Sequence, residues 1–424
     1  MRRYDSYKES TIHWVGSIPE NWGESRVKQY FIERNEKVSD IDYPPLSVTK
    51  NGILPQLDNV AKSDNHNDRK RVCHNDFVIN SRSDRKGSSG LSKLEGSVSL
   101  INIVLIPKNF FPKFSEYLFK SKNFVEEFFR NGKGIHWDLW STRYSELQNI
   151  KIPIPPLSEQ QQIASYLDKK TSLIDSLIEK TQRKIELLKE KRTSIINEVV
   201  TKGLNPNVDM KDSGVEWIGE IPIDWELRKG STIGNYSKGK GIKKDEVKET
   251  GLPCIRYGEI YTKYNHKFES VETFIDGGVT DIKVKKGTLF LTGSGELLED
   301  IGKCVVYVGN GEIYVGGDII ILKPFNEFDS EFLSYQINSE CIRIQREQNG
   351  RGGIIVHIYS KNFKDMWFPT PPTSEQQQIV EYLDEQTNLI DNTISIEEKR
   401  IELLKEYRQS LISEVVTGKR KVVE

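Results

Sequence analysis

Two stretches of the chain place apolar residues in alternating steps of four and three. The first runs through Ile174, Ile178, Thr181, Ile185, Leu188, Arg192, Ile195 and Val199, and the second through Ile390, Ile394, Glu397, Ile401, Leu404, Arg408, Leu411 and Val415. Alternation held over three or more heptads is the seam of a coiled coil rather than the stripe of an ordinary surface helix. The ends are marked alike in both. Pro155-Pro156 and Pro371-Pro372 are unfavourable inside a helix, Ser158 and Ser374 can cap, and Gln161 and Gln377 stand at the second place of a capping box. Gly203 and Gly418 lie where the helices should stop. A helix of about 44 residues is roughly 66 Å long, too long to bury its seam against one small domain. The pattern therefore predicts that the two helices pack on each other, antiparallel, with the polar seam positions Thr181, Glu397, Arg192 and Arg408 as solvated edges that fix register. So placed, the helices would set the spacing between whatever lies at their ends.

The two stretches are also copies. Ser158 to Thr201 and Ser374 to Thr417 are identical at 27 of 44 aligned positions, which marks an internal duplication. A second repeat, HWVGSIPENW from His13 to Trp22, returns as EWIGEIPIDW from Glu216 to Trp225. The segments between, Gly23 to Lys151 and Glu226 to Trp367, share almost nothing. A frame kept twice around inserts that differ suits the display of two different surfaces through one geometry.

Both inserts mix short β-rich runs, Val98 to Ile106 and Gly316 to Leu322, with helical stretches, Lys113 to Phe129 and Ser330 to Gln345, and with glycine-rich turns. They read as two α/β domains. Their loops are alike in composition, with NSRSDRKGSSGLSK from Asn80 and NGKG from Asn131 in the first, and KGKGIKK from Lys238, LTGSGE from Leu291 and NGRGG from Asn349 in the second. Such loops suit DNA, because glycine lets backbone approach a phosphate, hydroxyls and N–H groups bind its oxygens, and Arg reaches guanine O6 and N7.

Composition adds limits. The chain has 424 residues, 36% hydrophobic and 29% charged, with 61 basic against 62 acidic side chains, so any basic face is a local arrangement. No apolar run approaches a membrane span and the start lacks a signal-peptide core, which places the expected location in the cytoplasm. Cys73, Cys254, Cys304 and Cys341 are scattered and fit reduced thiols; no zinc spacing is legible. The double prolines read YPPL, IPPL and TPPT, without the polar leader and aromatic follower of an adenine-N6 methyltransferase turn. Phosphate-binding, zincin and nucleophile-elbow motifs are missing too. The chain alone reads as inactive, with no cofactor and no metal.

Two variable α/β inserts, each introduced by W-[IV]-G-x-IP-x-x-W and each followed by P-x-P-P-x-x-EQQQI and a long repeated helix, resemble the specificity subunit of Type I restriction-modification systems. The resemblance spans nearly the whole chain. It implies two target-recognition domains (1–157 and 205–373), each reading one half of a split asymmetric site in double-stranded DNA, with spacer helices (158–204 and 374–424) between them. It further implies docking of two methyltransferase subunits and of restriction or translocase subunits, which would carry the chemistry. Trp14, Trp22, Trp217 and Trp225 match the domain-entry motif, and Glu159, Gln160, Gln161, Glu375, Gln376 and Gln377 the helix-entry motif; these are expected to serve folding and partner docking. Base contacts have no family motif, so the candidates rest on loop chemistry: Lys50, Asn51, Arg82, Arg85, Lys86, Ser88, Ser89 and Lys133 in the first insert, and Lys238, Lys240, Arg256, Ser294, Arg351 and His357 in the second. A self-sufficient methyltransferase and a coiled-coil adaptor that binds protein through its inserts are the alternative classes.

Overall fold

The computed structural model describes residues 3–56, 68–134, 140–295, 301–349 and 356–422. The heptad stretches are two long helices, Leu157–Lys202 and Thr373–Val416. The chain divides into two compact units within these helices: one joins the residues up to Gln182 with those from Glu398 onward, and the other is Arg183–Glu397. Each unit thus holds one whole insert, the opening of the helix that follows it, and the closing part of the other long helix.

In the first unit the central sheet is antiparallel, with strands in the order Ser89–Leu91, Phe77–Asn80, Asn102–Pro107, Phe31–Glu33. One face packs on helices Pro112–Lys120 and Lys122–Arg130. The same core takes in Ile163, Leu167 and Ile174 from the first long helix and Leu411, Val415 and Val416 from the second. The second unit repeats the plan. Its sheet runs Gly234–Lys238, Ile319–Pro324, Leu289–Thr292, Cys304–Tyr307, Lys267–Phe268, and its core includes Val199 and Val200 from one long helix and Ile379 and Leu383 from the other. A second five-stranded sheet, centred on Leu252–Ile255, accompanies it; the first unit has a three-stranded sheet and a hairpin instead. This is the expected two-domain α/β architecture with long coiled-coil helices.

Each insert leaves and returns through one two-stranded ribbon. Gly23 to Arg26 pairs antiparallel with Lys151 to Ile154, and Glu226 to Lys229 pairs with Trp367 to Thr370. Everything that differs between the copies therefore hangs from a base whose two ends are adjacent, so its contents can change without moving the frame.

The seam residues face inward as the heptads require: Ile174, Ile185, Val199, Ile390, Ile401, Leu411 and Val415 are buried. Pairing is antiparallel, since within the second unit Lys184 meets Glu397 at 2.5 Å while Arg192, further along, meets Asp391 at 3.1 Å. In the first unit Arg408, the repeat of Arg192, pairs with Asp175, the repeat of Asp391, at 2.8 Å. Glu397, Arg192 and Arg408 are thus interhelical partners; Glu397 and Thr181 are buried rather than solvated, the Thr181 hydroxyl donating to the Leu177 carbonyl, whereas Arg408 stays at a solvated edge. At 38% and 53% side-chain exposure, the Arg408–Asp175 pair fixes register more than it adds stability.

Several local expectations change. The stretches expected to be helical, Lys113 to Phe129 and Ser330 to Gln345, are helical and each made of two helices, Pro112–Lys120 with Lys122–Arg130 and Ser330–Ile337 with Glu340–Asn349. The break is a serine in both. Ser121 donates to the Leu118 carbonyl and accepts from Phe124 N–H, and Ser339 donates to the Gln336 carbonyl. Val98 to Ile106 likewise splits into Gly96–Ser99 and Asn102–Pro107. The long helices start at Leu157 and Thr373, one residue before the expected serine caps.

The helix entries are fastened by the glutamine next to the one expected. Gln160 accepts from the Phe111 N–H at 2.9 Å and donates to the Pro155 carbonyl at 2.9 Å. Gln376 accepts from the Asp329 N–H at 2.7 Å and donates to the Pro371 carbonyl at 2.9 Å. Both are 1% exposed, whereas Gln161 and Gln377 face solvent and form no capping box. A buried amide that satisfies a backbone donor and a backbone acceptor leaves both orphaned when removed. Gln160→Ala and Gln376→Ala are each expected to destabilise the protein by about 1–3 kcal/mol, read as a lower urea midpoint, while Gln161→Ala leaves the midpoint in place.

Candidate nucleic-acid interface

The entry tryptophans are interior. Trp22 and Trp225 are each 1% exposed. The Trp225 indole N–H donates to Glu375 at 3.0 Å, whereas Glu159 accepts from the Tyr4 hydroxyl and the Asn21 amide. Gly203 and Gly418 end the helices at φ +75° and +74°. A Cβ on Gly418 would lie 2.3 Å from Pro19 Cδ, and one on Gly203 2.7 Å from Glu375 Oε1. Each helix therefore stops against an IP-x-x-W motif, the first beside Trp225 and the second beside Trp22. Trp14 and Trp217 are half-buried, with Trp14 edge-on to Phe124 at 5.9 Å. As placed, Trp22, Trp225, Glu159, Gln160 and Gln376 hold the fold together, and the surface available to a partner lies elsewhere.

The loop candidates of the first insert converge. Residues 81–86, the turn at Asn131–Gly134 and the segment 140–142 are laced by backbone hydrogen bonds: Ser83 N–H to Trp140 O at 3.0 Å, Thr142 N–H to Ser81 O at 2.9 Å, and Lys133 with Ser141 in both directions at 3.0 Å. Arg82 and Lys133 both bridge to Ser141. The hairpin tip carrying Lys50 and Asn51 lies against the edge strand, where a Cβ on Gly90 would come within 2.8 Å of Gly52 Cα. Arg82, Arg85, Lys133, Lys50 and Asn51 are exposed at this end of the domain.

Two of the candidates look inward, and a third is held at the surface. Ser88 and Ser89 are 6% and 0% exposed and belong to the strand edge rather than to a ligand-facing loop. Lys86 is clamped, its ammonium 2.7 Å from Glu126 and 4.2 Å from the Phe129 ring centroid. Three others are ion-paired: Arg82 with Asp84 at 3.1 Å, Arg85 with Asp84 at 3.6 Å, Lys133 with Glu146 at 3.2 Å. The Ser145 hydroxyl, followed by Lys133, holds the Glu146 carboxyl below its usual range. Exposed pairs such as those of Arg82 and Arg85 with Asp84 are worth about 0–1 kcal/mol, so a phosphate can replace the Asp84 carboxylate at little cost.

The second insert repeats the lacing. Ser294 pairs with His357 as Arg82 pairs with Ser141, and Ile358 N–H donates to Gly293 O at 2.9 Å as Thr142 does to Ser81. Gly293 N–H in turn reaches Asp318 O at 2.9 Å, and Lys238 lies 3.6 Å from the Asp318 carboxylate. Lys240 pairs with Asp281 at 3.6 Å. Arg256 precedes Tyr257, whose hydroxyl, like that of Tyr261, donates to the Ser294 carbonyl. Lys238, Lys240, Arg256, Ser294 and His357 are thus gathered from four separate loops. Ser294 contributes mainly backbone, being 8% exposed, and Arg351 lies outside the described residues.

Glycine in these loops serves packing. A Cβ on Gly134 would sit 2.6 Å from Trp140 Cα, and one on Gly239 would sit 1.9 Å from Gly316 O. The expectation that glycines clear the way for phosphate is replaced, at these positions, by loops closing on one another. Loop chemistry did not point to Ser141, Asp318 or the Gly316-Gly317 pair. The 216-residue frame offset that aligns Ser141 with His357 was the available signal.

A family model described as the Type I restriction modification DNA specificity domain matches residues 19–187 and again 222–406. This chain belongs to that family, the type I specificity subunits. The MjaVIII specificity subunit of Methanocaldococcus jannaschii is 26% identical over 98% of this chain and 97% of its own length, and the putative MjaX specificity subunit of the same organism is 24% identical over 98% of both. Among solved structures, a chain from work on the assembly and conformational transition of a type I restriction-modification system superposes with a TM-score of 0.72 at 14% identity, covering 94% of this chain and 98% of that one. The HsdS subunit from Thermoanaerobacter tengcongensis gives 0.58 at 16%, covering 95% and 98%. At such identities these likenesses speak to the fold. Among the described residues no helix is long and apolar enough to cross a membrane.

Because Gly134 packs on Trp140, Gly134→Ala is expected to destabilise this specificity subunit by about 1–3 kcal/mol. Gly277→Ala, where a Cβ meets nothing within 4 Å, is expected to leave the urea midpoint unchanged.

Proposed function

We propose that this subunit reads a bipartite, asymmetric site in double-stranded DNA, one half through each insert, and carries no catalysis of its own. The observation that supports this most is the repeated lacing: Arg82 with Ser141 and Ser294 with His357 bring exposed basic loops to the same place in each unit, while the presented side chains differ. The two readers are assigned to 1–157 and 205–373, and the spacers to 158–204 and 374–424. Arg82, Arg85, Lys133, Lys50 and Asn51 in the first domain, and Lys238, Lys240, Arg256 and His357 in the second, are the proposed phosphate and base contacts. Methyltransferase subunits, two of them by the duplicated frame, and the restriction subunits dock on the long helices, where Gln161 and Gln377 are available, and supply methyl transfer, ATP use and cleavage.

The purified chain with labelled S-adenosylmethionine and duplex DNA is expected to transfer no methyl groups until a methyltransferase subunit is added; transfer by the chain alone would contradict the assignment. In the assembled complex, Lys133→Ala is expected to weaken binding to all sequences alike and to flatten the salt dependence by about one unit of slope.

A further inference from the structure

The repeated lacing ends, in each domain, on a short helix whose first flanking residue breaks the usual rule. Helix starts favour Ser, Thr, Asp or Asn at the N-cap, because the side chain then accepts a backbone N–H. Here the N-caps are Arg143, before Tyr144–Leu147, and Tyr359, before Ser360–Asp365, and neither makes a side-chain cap bond. The fastening comes from the other direction. Arg143 N–H donates to the Glu146 carboxylate at 3.2 Å, and Tyr359 N–H donates to the Asn362 amide oxygen at 2.9 Å. The backbone is pinned on both sides, by Thr142 and Ile358, buried and bonded to Ser81 and Gly293, and by Leu147 and Phe363, also buried.

Pinned backbone with an unused side chain is a presentation device. Arg143 and Tyr359 are 216 positions apart, the same offset as the long repeat, and both are exposed, Tyr359 at 61%. Each follows by two residues the position that bridges to Arg82 or Ser294, and in extended backbone residues two apart project to the same side. In the second domain this is visible as the near-parallel rings of His357 and Tyr359, 16° between planes with centroids 6.4 Å apart. In the first, Arg82, Arg85 and Lys133 have carboxylate neighbours, whereas Arg143 has none within salt-bridge distance among the described residues. A large, half-solvated aromatic and an uncompensated guanidinium, held at equivalent rigid places, are departures from local rules of the kind found at functional sites.

We infer that Arg143 and Tyr359 are paired specificity-determining residues, one per recognition domain, each projecting into the major groove to read a base edge. The inference rests on the reading of the laced loops as the DNA-facing surface. Arg143 suits bidentate recognition of guanine O6 and N7, and the Tyr359 ring suits contact with a thymine methyl group.

The test uses the complete methyltransferase complex on a library of randomised duplexes, with the methylated motif read by sequencing. Arg143→Ala is expected to relax selection at one base pair of one half-site by about 5- to 150-fold, leaving the other half intact, and Arg143→Lys is expected to restore it only in part. Tyr359→Ala is expected to relax one position in the opposite half, while Tyr359→Phe keeps the preference. Both side chains are exposed, so urea midpoints should stay at the wild-type value. Unchanged preferences in the alanine variants, a uniform loss over all sequences, or a change in both halves from one variant would each overturn the inference. Failure of the underlying reading would look different: the wild-type complex would show no preference that depends on either insert.

Discussion

The placement of each recognition domain depends on one buried side chain. Gln160 and Gln376 sit at the first turn of their helices, and each ties a backbone N–H of its domain to the carbonyl of the proline that opens the helix. Pro155 and Pro371 lie just past the ribbon strands and before the helices, so their carbonyls find no partner in either ladder. The glutamine supplies that partner and the acceptor for the domain in a single group. Around it the tyrosines Tyr117 and Tyr335 donate to Asp168 and Asp384 on the long helices, at 2.6 and 2.8 Å. Domain and helix thus meet through paired polar groups at the border of an apolar core, an arrangement that specifies one angle of entry.

The frame is conservative and the display is free. Ribbon base, glutamine fastening, serine break and helix-ending glycine recur at matching places in both units. Between them, the sheet order around the two central strands is kept while the accessory sheets differ in size. The loops at the far end are held by backbone hydrogen bonds, which place no demand on side-chain identity. A surface assembled that way can change its chemistry from Arg82 and Ser141 to Ser294 and His357 without changing its path, which is the property a family of sequence readers needs.

The frame was legible because helical periodicity and exact repetition are local signals. The seam from Ile174 to Val199, the antiparallel partner and the ends at Gly203 and Gly418 all followed from residue spacing. The ribbon limits also fell where repetition stopped, at Gly23 and Lys151. Illegible were features decided by contacts far along the chain. Ser121 breaks a helix that propensity alone would continue, and the role of Gln160 rather than Gln161 depends on Phe111, 49 residues away. Among the surface candidates, Arg82, Lys133, Lys238 and His357 are exposed in or beside the laced loops. Ser88 and Ser89 carry the same chemistry and face inward, because burial of a loop residue depends on which neighbour covers it.

The central claim is that the two inserts act independently through one repeated frame. Replacing Gly23 to Lys151 with the corresponding segment of a relative that methylates a different motif, and sequencing the methylated sites made by the reconstituted complex, tests it directly. The account predicts a hybrid motif, with one half taken from the relative and the other half unchanged. A motif altered in both halves, or in neither, would contradict it.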